Sequence, residues 1–332
     1  LPGKRKCTAS YRTAEPETVA TNALRQPAAP ARTRKSEREQ LDLFQALPGG
    51  MAPRDVQDLM AYPFFSLAKS KRLAPIDFRA GTVTIRVEAV PEYGMATIWD
   101  ADILIWAASQ IVEARDAGLK TSRLMAATPY EILTFTGRGT GLRDYDRLKA
   151  ALDRLQSTTV ATSIRQVSER RRHRFSWINE WKETADQSGR PLGIELILPD
   201  WFYAAVMDNA LVLTIDQTYF SLTGGLERWL YRIVRKHGGR QAEGWQFDVR
   251  HLYAKSGSLS PLKRFAFELR DIVRRQPLPG YHLTIHRLHS GGELFGFAPV
   301  RASLSGWESS NPPAAQPLAA HRGGSHQTVD KL

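Results

Sequence analysis

The chain has 332 residues, 42% of them hydrophobic, and a formal net charge of +12, which suits two compact domains with tails and an anionic partner. A single cysteine, Cys7, excludes intrachain disulfides and cysteine-rich zinc sites and fits a reducing cytoplasm. No apolar run approaches the ~20 residues of a membrane span, and no apolar core follows the basic N-terminus, so neither membrane insertion nor secretion is expected.

Residues 1–39 are rich in Ala, Pro, Thr and charge and are expected to be disordered, the arm running on to residue 59. Residues 82–90 alternate like a strand, and 99–116 place Trp99, Ile103, Trp106, Ala107 and Val112 at helical spacing. Pro129 suits the first turn of a short helix ending near Phe135. Gly137–Gly141 makes a turn, and a helix over 142–156 turns Leu142, Tyr145, Leu148, Leu152 and Leu155 inward. Residues 158–166 and 173–181 suit a wing hairpin around Arg170-Arg171-Arg172. A strand at 193–198 and a helix from Pro199 to about Met207 follow.

A helix near 221–237 stops at Gly238-Gly239. Asp248 caps a short helix through Lys255, and Ser256-Gly257-Ser258 forms a turn. Ser260 as N-cap and Pro261 at the first helical position then start a helix to about Arg275. Tyr281–Leu288 and Glu293–Val300 alternate as a hairpin around Gly291-Gly292. The Ser-, Gly- and Pro-rich residues 303–332 are expected to be disordered.

Residues 128–164 and 248–284 thus form two copies of one unit, offset by about 120. Ile132 matches Leu252, Gly137 matches Gly257, Leu142 matches Leu262, Tyr145 matches Phe265 and Leu152 matches Ile272. Short helix, glycine turn, longer basic helix and β hairpin make a helix-turn-helix followed by a wing. The predicted fold is α+β: two tandem winged-helix domains, 60–212 and 213–302, between disordered termini.

Charge concentrates on the second copy, where residues 221–290 hold 13 Lys and Arg against 5 Asp and Glu. Its long helix opposes an apolar face with Lys263, Arg264, Phe267, Asp271, Arg274 and Arg275, with Arg270 at the edge. Long cationic side chains reach guanine edges and phosphates, and Phe267 suits either a thymine methyl or packing against another element. Lys255, Ser258, Ser260 and the wing residue Arg287 complete the candidate surface of this copy. In the first copy Arg138, Thr140, Arg143, Arg147 and Arg154 are the candidates. Asp146 and Asp153 dilute them, so weaker or backbone-only DNA contact is expected there, with dimerisation as another use.

Gly137–Gly141 lacks the Gly-Lys-Ser/Thr ending of a P-loop. His282, His286 and His289 have no accompanying carboxylate cluster, and no nucleophile–base pair stands out. No metal, cofactor or catalytic activity is expected.

Two further stretches carry a resemblance. Tyr62-Pro63-Phe64-Phe65-Ser66-Leu67-Ala68-Lys69-Ser70-Lys71-Arg72 and Tyr93-Gly94-Met95-Ala96-Thr97-Ile98-Trp99-Asp100-Ala101-Asp102, with the tandem units, are similar to the plasmid replication initiator protein A family over about residues 60–300. The resemblance implies a protein that binds repeated double-stranded DNA (iterons) at a plasmid origin, helps open it and recruits host replication proteins, the helicase or host initiator among them. It also implies a monomer–dimer switch, with the first winged helix in the homodimer contact. Gln40-Leu41-Asp42-Leu43-Phe44 resembles the pentapeptide with which bacterial proteins dock on the polymerase sliding clamp. The alternatives are its packing on the chain's own first domain and, for the whole protein, a winged-helix repressor. A rolling-circle nicking enzyme would need a histidine pair that the sequence lacks.

Overall fold

The computed structural model describes residues 37–166, 173–188, 191–238, 244–289 and 291–300, and from Glu37 onward they belong to one compact unit. Residues 1–36 and the C-terminal stretch, both expected to be disordered, lie outside this set, as does Arg170-Arg171-Arg172.

Ordered structure begins well before residue 60. Helix α1 (Glu37–Gln40) leads into strand β1 (Leu43–Gln45), then β2 (Arg54–Val56) and α2 (Gln57–Ala61). The expectation of an arm reaching residue 59 is therefore corrected. Phe44, Val56, Leu59 and Met60 bury their side chains, and that burial drives this segment onto the body.

Strands β3 (Ile76–Ala80) and β4 (Val83–Glu88) form a hairpin, followed by α3 (Ala101–Asp116), which is apolar nearly all round and buried. The first winged unit continues with β5 (Leu124–Ala127), α4 (Pro129–Phe135) and α5 (Leu142–Ser157). Helix α4 starts on a capping box: Thr128 Oγ1 accepts from the Glu131 amide (3.2 Å) while Glu131 accepts from the Thr128 amide (2.7 Å). Leu148, Leu152 and Leu155 of α5 are buried and Tyr145 partly so, whereas Leu142 is 80% exposed, contrary to its inward placement above.

The wing of this unit also differs from expectation. Strands β6 (Thr159–Thr162) and β7 (His173–Ser176) join the earlier hairpin in a sheet of order β3-β4-β6-β7. The wing is formed by β8 (Glu180–Ala185) and β9 (Pro191–Ile197), in a sheet of order β1-β5-β9-β8. Alternation marks a strand but not its partner, and the β6–β7 insertion displaces the true wing by about twenty residues.

Helix α6 (Asp200–Met207) follows, and β10 (Val212–Thr214) pairs with β2. A boundary at residue 212 therefore cuts a strand. The second winged unit comprises α7 (Gly225–Gly238), β11 (Trp245–Asp248), α8 (Val249–Ser256), α9 (Leu262–Arg275), β12 (Tyr281–Arg287) and β13 (Glu293–Pro299). Its sheet order, β11-β13-β12, repeats β5-β9-β8. Gly137 and Gly257 both take the left-handed conformation (φ 65° and 61°) between their helices, so the repeat extends to backbone geometry.

Buried ion pairs bolt the two winged units together. Arg232 of α7 forks onto Asp55 of β2 (2.6 and 2.9 Å), the pair being 1% and 2% exposed. Arg228 donates to both carboxylate oxygens of Asp102 on α3 (2.8 and 2.9 Å). Gly225 lies so close to Leu67 that a Cβ would stand 2.0 Å from its carbonyl oxygen. Among the described residues no helix is long and apolar enough to cross a membrane.

Candidate nucleic-acid interface

Helix α9 is strongly amphipathic. Phe265, Ala266, Leu269 and Ile272 are buried. Lys263, Phe267, Arg270 and Arg274 lie at helical spacing on the exposed side. The helix starts one residue later than the sequence suggests: Pro261 is the N-cap, and Ser260 stands outside it. The serines instead shape the turn. Ser256 Oγ accepts from the Ser258 amide (3.1 Å), and Ser258 Oγ from the Ser260 amide (3.2 Å). Arg72, from the stretch that carries the family resemblance, is nearly buried and donates to the Gly257 carbonyl (2.6 Å) and to those of Ala74 and Pro75. It ties the first half of the chain to the turn preceding α9.

A groove of about 580 Å³ runs between α9, the start of α8 and the wing, lined by Arg250, Lys263, Arg270, Arg287 and Glu293. Arg250, which the sequence reading passed over, stands in the first turn of α8, where Asp248 caps the helix by accepting from the Arg250 and His251 amides. Its place two residues after the Asp248 cap was the available signal.

The cations of this face differ in commitment. Arg270 grips Glu293 (2.8 and 3.1 Å) and holds that carboxyl below its usual range, with Arg287 3.5 Å away. Arg274 and Arg275 share Asp271, and Arg275 also reaches Glu227 (2.6 Å). Lys263 and Arg264 are exposed and make no ion pair among the described residues. Phe267 is 68% exposed, so the fold does not use it as a packing residue.

Lys255 sits elsewhere. Its ammonium lies 5.6 Å over the Tyr62 ring, and burial pushes its pKa down to about 8. It lines a different cleft from the α9 groove.

In the first unit the fold itself uses two of the candidate arginines. Arg138 donates to Asp102 (2.9 Å) and to the Trp99 carbonyl, and Arg154 forks onto the buried Asp100 (2.8 and 2.7 Å). Burial pushes the Asp102 carboxyl up, against the pull of Arg228 and Arg138. Arg147 leans on Asp144 (3.2 Å), while Thr140 and Arg143 are exposed. Asp100, the N-cap of α3, and Asp102 in its first turn thus take up Arg154 and Arg138, a pairing that the sequence reading, which looked to Asp146 and Asp153, did not anticipate.

The clamp-like pentapeptide is built into the body. Gln40 ends α1, Leu41 is half-buried, Asp42 pairs with Lys120 (2.6 Å), and Leu43 and Phe44 lie in β1, parallel to β5. Leu43 is exposed, but Phe44 is only 6% exposed. The structure therefore has this segment packed on the first domain.

A profile of the family described as replication initiator protein A matches residues 54–283. A provisionally named replication protein of Wigglesworthia glossinidia brevipalpis is 34% identical over 228 residues, 68% of this chain and 82% of the relative. Among solved structures, a selenomethionine derivative of domains 2 and 3 of RctB aligns with a TM-score of 0.53 at 15% identity, covering 70% of this chain and 94% of that one. A second structure of RctB domains 2–3 aligns at 0.49 and 14% identity, over 74% and 97% of the two chains. The first of these shows a shared fold. With the family profile spanning most of the folded body and a relative one-third identical beside it, the chain belongs to the replication initiator protein A family.

Proposed function

We propose that this protein initiates replication by reading repeated sites in double-stranded origin DNA through α9 and the β12–β13 wing. The carrying observation is the exposed stripe of α9, where Lys263 is uncommitted and Phe267 is left in solvent, beside a groove supplied with Arg250 and Arg287. Folding gives no reason for an aromatic there, and apolar contact with a thymine methyl does. The arginines held by Glu293 and Asp271 are pre-positioned donors that exchange a carboxylate for a phosphate on binding. The first unit, with two of its arginines engaged internally, serves as scaffold and as the surface for pairing two copies. Its role is binding rather than catalysis.

Recruitment of host replication proteins extends this reading. Docking of residues 40–44 on a sliding clamp requires β1 to leave β5 and expose Phe44, so it belongs to a rearranged state. The test of the main reading is a footprint of the full chain on its own plasmid at physiological salt, with an unrelated duplex as control. Protection of regularly spaced direct repeats supports it. Protection of a single promoter palindrome would instead favour a repressor, and uniform weak protection would leave only electrostatic attraction.

A further inference from the structure

Arg72 is only 7% exposed, yet its acceptors are carbonyl oxygens: Ala74 (2.8 Å), Pro75 (3.1 Å) and Gly257 (2.6 Å). Burial pushes its pKa down, and no acid among the described residues offsets that. Neutral acceptors return only part of the free energy lost when a cation leaves water. An apolar chain of similar volume commonly serves a fold as well as a buried charge does. The use of this guanidinium therefore lies elsewhere than in stability.

What it fixes is a direction. The carbonyls at 74 and 75 are local and hold the guanidinium in place, while the third belongs to the turn before α9, 185 positions later. That turn is seated on the first half of the chain. Gly257 is left-handed (φ 61°), and a Cβ there would stand 3.0 Å from Pro63 and 3.4 Å from Ile76. Ser256 beside it is buried, and Lys255 lies over Tyr62. On its other side Arg72 leads back to the first unit. Its carbonyl accepts from the Met95 amide (2.9 Å), and the next amide, Ala96, donates to Thr158 Oγ1 (2.8 Å). Thr158 is the C-cap of α5. A run of chain and hydrogen bonds thus joins the end of α5 to the start of α9, and Arg72 is where it crosses between the units.

We propose that Arg72 is a positioning residue for DNA reading: by holding the Gly257 carbonyl it sets the orientation of α9 against α5. The inference rests on α9 reading duplex DNA and deepens that reading. Sequence discrimination by the second unit is completed by a side chain from the first half of the chain. Arg72 itself, being buried, acts through α9 and not on a phosphate.

The test uses Arg72→Met and Arg72→Lys in the full chain, with Lys263→Ala as the check on α9 itself. Met strands no charge, because no described acid faces it; Lys keeps the charge but cannot reproduce the planar fork of donors. Fluorescence anisotropy measures affinity for a labelled duplex from the plasmid's own origin and for a scrambled duplex of equal length, over a series of salt concentrations. Arg72→Met is expected to lose about tenfold on the origin duplex, the scale of one base contact. The scrambled duplex should stay within about twofold, and the salt slope should not change, since no phosphate contact is lost. Arg72→Lys should fall between. Combined with Lys263→Ala, Arg72→Met should cost less than the product of the two separate losses, because a displaced α9 no longer brings Lys263 to its base. In the free chain, hydrogen exchange should quicken at residues 257–263 and stay unchanged in α3.

Undiminished discrimination in Arg72→Met overturns the inference. So does an equal loss on both duplexes with a shallower salt slope, which would make Arg72 a phosphate ligand, or faster exchange throughout, which would make it a stability residue only. If Arg72→Met does not fold, Arg72→Lys carries the same comparisons. An unchanged origin affinity in Lys263→Ala removes α9 as the reader and takes the inference with it. A loss in Lys263→Ala without one in the Arg72 variants ends the positioning role alone.

Discussion

Replacing Arg232 with Met tests the bolt between the two winged units. The guanidinium is 1% exposed and donates to both oxygens of Asp55, itself 2% exposed. Met fills much of the same space but leaves the carboxylate buried with only the Val56 amide as a described donor (2.8 Å). Stranding one partner of a buried pair costs about 3–5 kcal/mol, a large fraction of the 5–15 kcal/mol that stabilises a typical domain. The loss of the contact between Arg232 and the Phe65 ring (5.7 Å) acts in the same direction. The assay is urea unfolding followed by tryptophan fluorescence, run as a double-mutant cycle with Asp55→Asn. Asn removes the stranded charge and can still accept from Val56, so the double variant should recover at least half of the loss. An Arg232→Met cost below about 1 kcal/mol, or strict additivity in the cycle, would refute the reasoning.

On α9, Lys263→Ala and Phe267→Ala should each weaken origin binding by about 1–3 kcal/mol, and Arg274→Ala by less because Asp271 already holds that guanidinium; titration at fixed salt ranks them, and equal affinities throughout would remove α9 as the reader. Affinity for the origin should fall steeply as salt rises, since several phosphates are neutralised together, and a flat response would argue against phosphate contact. Lys255 is pushed down from 10.5 to about 8, so the unfolded chain holds more protons between those values and this group's penalty on folding is full below pH 8 and lifts as pH rises. Lys255→Met should therefore raise the unfolding free energy measured in urea at pH 7, by up to about 3 kcal/mol less the lost Tyr62 contact, and gain less at pH 10; a gain independent of pH would contradict the buried charge. Phe44→Ala should cost about 3–5 kcal/mol in urea stability and Leu43→Ala at most about 0.5 kcal/mol, whereas equal stabilities would show that β1 is loose enough to be presented to a clamp.

Local chemistry made much of the fold legible. Pro129 at one helix start and the Asp248 cap at the other, the glycines at 137 and 257, and the apolar spacing of Leu148, Leu152, Phe265 and Leu269 act within a turn or two of chain, so the duplicated helix-turn-helix stands out in one dimension. What stayed hidden was decided by partners distant in sequence. Phe44 meets Met125 across a parallel ladder, and nothing within the short pentapeptide distinguishes a buried edge strand from an exposed ligand. Arg138 and Arg154 look like groove-facing cations until Asp102 and Asp100, 36 and 54 positions earlier respectively, turn them inward. The wing of the first unit was misplaced because two alternating stretches competed for one role and only pairing separates them. On the candidate surface the sequence could show which residues were basic; it could not show that Glu293 and Asp271 had already engaged several of them.

Helix α7 is both the first helix of the second winged unit and the member that carries Arg228 and Arg232 into the other. The angular phase between α5 and α9 is therefore set within the protein and not by a linker. A protein of this construction cannot swivel α9 relative to α5 to suit an ill-spaced site. Inserting about half a helical turn, roughly five base pairs, between two contacted segments would carry the second to the far side of the double helix, and any smaller misfit must be met by bending or twisting the DNA, at about 1–6 kcal/mol for a smooth bend of 40–90°. On the reading proposed above, strain from the match between protein and site would be stored in the DNA itself, where opening of the strands would release it.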